Sequence, residues 1–142
     1  ITLYIIIFFT YTIETLSIPI SYYILNGIFP EGNLIIKDIR ANVYSLLLQF
    51  LITPIPVLVA NISKNLIIPS SYGILSFILS SLLVNNSSGN FKYIPLTSPY
   101  LSSAYFHNLK DINLNYVLIP GVLCFILFLC IGMYHFTQQD IS

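Results

Sequence analysis

Charge is what this chain lacks most. Five Lys and Arg and five Asp and Glu are spread over 142 residues, 7% of the total. A soluble domain of this length carries roughly a quarter of its residues as charges to cover its water-facing surface. These few cannot do so, and with 56% apolar residues and a mean hydropathy of +0.86 the surrounding solvent is lipid. The net charge is zero. Without a basic tract or an acidic tail, a nucleic-acid partner is excluded as a reading. The two cysteines, Cys124 and Cys130, fall six residues apart in one apolar run, on nearly opposite helix faces. An internal disulfide between them is not expected, and they read as buried small hydrophobes.

Chemical motifs are also missing. No Gly-rich loop ends in Lys-Ser or Lys-Thr, and no dinucleotide fingerprint is present. His107 and His135 have no Cys, Asp or second His at metal-ligand spacing, so no metal site is expected. No Ser stands beside a His and a carboxylate in a recognisable pattern. Catalysis by this chain is therefore not expected, and no cofactor is assigned to it. The chain opens on Ile1 and enters an apolar run with no basic n-region, unlike a signal peptide. It reads as a fragment whose N-terminal part is missing.

What is present is four long apolar runs. A helix needs about 20 apolar residues to cross the hydrocarbon core. Residues 1–25, 42–62, 66–84 and 114–136 each meet that length, which predicts an all-α, polytopic transmembrane protein with four spans in a single domain. The first contains Glu14 and Pro19; the proline should kink it. Residues 26–40 read as an aqueous loop in which Leu34, Ile35 and Ile36 dip towards the interface. Pro54 and Pro56 interrupt the second span and free backbone carbonyls that lipid cannot satisfy. Ser63-Lys64-Asn65 is a turn so short that the second and third spans must be antiparallel neighbours. In the third span Gly73, Ser76 and Ser80 recur at three and four residues, forming one small-residue face that lets another helix approach. Pro69 sits in its first turn, where the missing N–H costs little. The connector at residues 85–113 holds Tyr93, Tyr100, Tyr105 and Phe106, too aromatic for a solvated loop, and reads as interfacial or re-entrant.

Six residues stand out as candidate pathway or structural residues: Glu14, Pro54, Pro56, Gly73, Ser76 and Ser80. A carboxylate in mid-span costs roughly 3 kcal/mol on insertion scales, so it normally faces protein or water. Glu14 has two readings. It is a proton, ion or substrate contact, or it lies near an interface because the span starts late or breaks at Pro19. Pro54 and Pro56 read as a fixed kink in preference to a hinge. Lys110-Asp111 reads as a solvated edge of the last span. Prolines early in spans or in mid-span favour a working transporter or channel over a passive anchor.

Residues 61–100 resemble the permease subunits of type-2 ABC exporters. The resemblance rests on the Ser63-Lys64-Asn65 turn, the Ile67-Ile68-Pro69 step, Tyr72-Gly73-Ile74, and Tyr93-Ile94-Pro95 through Pro99. The closing Phe-Thr-Gln-Gln-Asp-Ile, residues 136–141, is similar to the family's end. The pattern is closest to permeases for lantibiotics, bacitracin and related peptides, often in self-protection. Leu96 follows Pro95 where the family has Trp, and Gln138-Gln139 dilute its basic tail. The resemblance implies six spans, of which these are the last four, in a bacterial plasma membrane. It implies a second permease copy or paralogue, and a separate ATPase subunit that binds ATP. The substrate implied is a hydrophobic peptide or a lipid-like molecule. Lys37, Arg40, Lys92 and Lys110 lie in the first and third connectors, with Lys64 alone in the second. By the positive-inside rule those two connectors would be cytoplasmic, opposite to the family's arrangement. The family's orientation is followed here, because absent N-terminal spans would dominate orientation. Alternative readings are a small subunit of an ion-translocating respiratory complex with Glu14 as relay, or a membrane-embedded enzyme.

Overall fold

A computed structural model describes residues 2–65, 67–85, 94–107 and 113–139. All of its regular elements are helical: α1 (Thr2–Asn26), α2 (Gly32–Ile52), α3 (Pro54–Ser63), α4 (Ile67–Asn85), a 3-10 turn (Pro95–Thr97), α5 (Ser98–Phe106) and α6 (Leu114–Gln139). Three helical stretches are long and apolar enough to cross a membrane: Thr2–Asn26, Gly32–Ser63 and Val117–Gln138. Ile67–Leu83 is a shorter apolar helix, so the third predicted span, residues 66–84, falls below the length of the other three.

α1 passes through Pro19 without ending. It stops where Gly27, at φ 71°, takes the left-handed conformation that glycine adopts without penalty, its N–H donating to the Tyr23 carbonyl at 2.9 Å. The next helix begins earlier than the sequence suggests. Only residues 27–31 separate α1 from α2, and residues 32–40, predicted as loop, form the first turns of α2. Pro30 and Glu31 end the turn, and Leu34, Ile35 and Ile39 then recur at helical spacing between charges. Lys37, Asp38 and Arg40 confine the apolar part of this stretch to residues 41–63, near the predicted 42–62.

Contacts between side chains fix the helix directions. Tyr4 meets Phe50 edge-on at 5.1 Å and the Asn42 amide donates to the Thr15 hydroxyl at 3.0 Å, so α1 runs antiparallel to α2. α6 runs parallel to α2 and α3. Val117 packs beside Leu48, Gly121 beside Leu51, and Gly132 beside Leu58. A Cβ at Gly121 would stand 3.3 Å from Leu51 Cδ1, so that glycine sets how closely α6 approaches α2. Between α3 and α4 the chain reverses at Lys64, a non-glycine residue with φ 48°, and the Asn65 side chain accepts the Ile67 N–H at 2.9 Å. α3 and α4 pack together, as the short turn requires.

The most densely buried region is not between two long helices. It is where α5 docks on α2, with α6 closing over both: Leu48, Leu101, Ala104 and Val117 are buried together. Ser45 and Ser102 form a close hydroxyl pair at its centre. The Pro99 carbonyl lies 2.8 Å from the Ser45 hydroxyl and 2.7 Å from that of Ser102, so one of the two donates to it while the other donates across the pair. Ala41 and Ser45 on α2 face Ser98 and Ser102 on α5, small residues four apart on both helices, and that spacing permits the close approach. At one end of this contact His107 Nε2 lies 2.9 Å from Asp38 Oδ1.

Candidate functional site

α2 and α3 are one helical path with a fault in it. Thr53 keeps right-handed helical angles, φ −57° and ψ −32°, yet the prolines after it have no N–H to give. Pro54 would have bonded the Phe50 carbonyl and Pro56 the Ile52 carbonyl, so both lose their usual donor four residues on. Thr53 adds a bond on the turn before and not to those two carbonyls. Its N–H and its hydroxyl both donate to the Gln49 carbonyl, at 3.1 and 2.7 Å. A threonine hydroxyl bonded back in this way commonly accompanies a bend in a helix within lipid.

On one side of this fault lies a cavity of about 290 Å³. Its wall comes from Gln49, Ile52 and Pro56 of the broken path, Tyr72, Gly73, Ser76 and Ser80 of α4, and Leu96 and Tyr100 beyond. Four of the six residues singled out from sequence therefore meet in one space: Pro56, Gly73, Ser76 and Ser80. The small-residue face of α4 is what leaves the room. A Cβ added at Gly73 would meet nothing within 4 Å, so α4 does not close against α3 there. Ser76 and Ser80 donate back to Gly73 and Ser76 carbonyls at 2.8 and 2.6 Å, and Ser80 also reaches the Leu96 carbonyl at 3.1 Å. Ser80 thus ties α4 to the 3-10 turn, while both hydroxyl oxygens remain able to accept. Gln49 and the phenols of Tyr72 and Tyr100 add polar groups to a wall that is otherwise apolar.

Pro54 does not share this space. It lies on the opposite side of the fault, in an apolar groove of about 410 Å³ bounded by the start of α1 and by α3 and α6. Leu3, Val57, Leu58, Phe128 and Met133 line the groove, with Asn61 and Thr137 among its few polar residues. Glu14 belongs to neither. It is exposed at the midpoint of α1, twelve residues from each end, so the reading in which the helix breaks at Pro19 does not hold.

Sequence reasoning missed the α2–α5 contact, the Asp38–His107 pair and Pro120 within α6. The first two join residues more than fifty positions apart and leave no local signature. The Ala41–Ser45 spacing on α2 was legible in the same way as that of Gly73, Ser76 and Ser80. Both cysteines are free, and Cys130 is exposed on α6, so only Cys124 is part-buried as expected of a small hydrophobe. Tyr93, Lys92 and Lys110-Asp111, and the Asp-Ile of the closing motif, lie outside the described residues. Among the described residues no three His, Cys, Asp or Glu gather closely enough to hold a metal ion. Comparisons with protein-family models, with curated proteins and with solved structures find no match to this chain.

Proposed function

We propose that this chain is the membrane-spanning permease subunit of an ATP-driven type-2 ABC exporter, part of the translocation path for a hydrophobic peptide of lantibiotic or bacitracin type, or for a lipid-like substrate. The observation that carries the reading is the cavity of about 290 Å³ set against a broken helix. Helix backbone that has lost its internal bonds within lipid persists where it lines a cavity or is buried in protein, and interrupted helices beside such spaces are typical of transport sites. A wall that mixes Gln49, Tyr72 and Tyr100 with Ile52 and Leu96 suits an amphiphile better than a bare ion.

In this reading Ile67–Leu83 is a fourth span, at about 1.5 Å per residue a little short of the hydrocarbon thickness. Residues 94–107 enter the membrane and return, their polar backbone protected by α2, α4 and α6. The turn at Lys64 faces the cytoplasm, beside a separate ATPase subunit that binds ATP, and a second permease copy or paralogue completes the path. This chain supplies the route and the coupling, with no cofactor of its own and no phosphoryl chemistry. Closure of the ATPase would shift the bundle between inward- and outward-facing states only to the extent that ATP binds one state better.

The test is affinity capture of the intact tagged protein from its native membranes in mild detergent, followed by mass spectrometry. Stoichiometric recovery of an ABC-type ATPase is the expected result. Recovery of quinone- or cytochrome-linked subunits instead would overturn the proposal and make the chain a respiratory subunit.

A further inference from the structure

The cavity of about 290 Å³ beside the α2–α3 fault holds a polar group that sequence reasoning passed over. Gln49 lies about 12 Å along α2 from Ala41, well inside the apolar stretch. Its backbone carbonyl takes both Thr53 donors, yet its side-chain amide has no hydrogen-bond partner among the described residues. The Tyr72 hydroxyl, on the α4 wall, is in the same state. Neither group is sealed into the packing. Among the described residues no fully buried side-chain N or O lacks a partner, so both groups open onto space. An amide at that depth is costly unless something answers it.

The wall sets what can answer it. Among the described residues that line the cavity none carries a charge. A phosphate, carboxylate or ammonium brought there would stay unpaired in a low dielectric. The hydrogen-bonding groups call for a donor and an acceptor together. Gln49 offers N–H₂ and C=O on one planar group, the complement of a peptide unit. Ser76 has given its proton to the Gly73 carbonyl at 2.8 Å, so its oxygen can only accept. Ile52, Pro56 and Leu96 supply apolar surface around them. At about 290 Å³ the space lies at the lower edge of small-molecule pockets, roughly 300–1,000 Å³, and so seats a short part of a longer molecule.

We infer that Gln49 determines what this cavity admits: it pairs with an uncharged backbone amide of an apolar peptide segment, through both its N–H₂ and its C=O, while charged headgroups and termini are refused. A phospholipid fits less well, because its esters have no N–H to give and no lining residue answers its phosphate. Calling the occupant a substrate rests on the transport reading; the selectivity itself rests on the wall.

Binding of radiolabelled N-acetyl-trileucine amide to the full purified protein in phosphatidylcholine nanodiscs, without ATP or a partner, tests this. Saturable binding is expected, weakened about ten-fold when the backbone N–H groups are exchanged for ester oxygens, and at least as much when the C-terminus is left a free carboxylate. Phosphatidylglycerol added to the nanodiscs should not displace the peptide. Gln49→Leu should weaken the amide about ten-fold or more and erase its preference over the ester, and Tyr72→Phe should weaken it about three-fold. The comparison of ligands on the parent protein stands even where a variant fails to fold. No saturable binding, equal binding of amide and ester, displacement by phosphatidylglycerol, or a folded Gln49→Leu that binds like the parent would each overturn the inference. Capture of the ATPase is read separately. A captured ATPase without amide selectivity ends the inference and leaves the permease; amide selectivity without an ATPase keeps the role of Gln49 and ends the permease.

Discussion

Ser45 and Ser102 show how hydroxyls hold together helices that are long and apolar enough to cross a membrane. Lipid tails compete with leucine on equal terms, so apolar contact alone does not choose one helix partner over another. A hydroxyl pair flanked by the Pro99 carbonyl does choose, because a mispaired arrangement would leave polar groups in hydrocarbon. Replacing Ser45 by Ala removes one such bond and should cost about 0.6 kcal/mol, the typical value for interhelical bonds in bilayers. Ser45→Leu should cost more, about 1–3 kcal/mol, because α5 approaches α2 too closely there to admit the larger side chain. Thermal unfolding in detergent, followed by labelling of the part-buried Cys124, reads both. If the two variants unfold at the same temperature as the parent, the α2–α5 contact is not what holds this region. Local spacing made one half of this legible: Gly73, Ser76 and Ser80 announce a close-approach face in the sequence. Which helix Ser45 meets was not legible, because 57 residues separate it from Ser102 and no periodicity records a partner.

At the scale of elements, Pro54 and Pro56 were legible as an interruption, and the structure turns them into a boundary between two helices and between two spaces. Residues two apart on a helix point about 200° apart, so one proline faces the apolar groove and the other the polar cavity. The early start of α2 was less legible, because Gly32 and Asn33 weigh towards a loop while the Leu34–Ile39 periodicity weighs towards a helix, and tertiary contact with α5 decides. Pro56→Ala would restore an N–H within reach of the Ile52 carbonyl and so mend one turn of the fault. Amide hydrogen exchange across residues 55–59 should slow about ten-fold or more, since a relieved helix-interior proline is worth roughly 3 kcal/mol before losses in packing. Unchanged exchange would mean that Thr53 and the surrounding helices, and not the missing N–H, keep this turn open.

For the whole molecule, the helix directions imply a strict partition of its ends. Tyr4 beside Phe50 and Thr15 beside Asn42 set the start of α1 beside the α2–α3 junction, on the same side of the bundle as the end of α3. The parallel course of α6 brings Gln139 to that same side, as the shared groove of Leu3, Asn61 and Thr137 also requires. Asn26, Asn113 and the α5 end at His107 then lie on the other. Single cysteines at Lys64, Gln138, Gly27 and Asn113, in a Cys124→Ala, Cys130→Ala background, make the partition measurable. A membrane-impermeant thiol reagent applied to sealed vesicles of one orientation should label Lys64→Cys with Gln138→Cys, or Gly27→Cys with Asn113→Cys, and never one from each pair. In the orientation proposed for a permease, inside-out vesicles expose the first pair. The opposite result would follow the count of Lys37 and Arg40 against Lys64, and would put the residue 94–107 element on the cytoplasmic side. Labelling that mixed the pairs would have a larger consequence, since it would require α6 or α1 to run against the contacts that define the bundle.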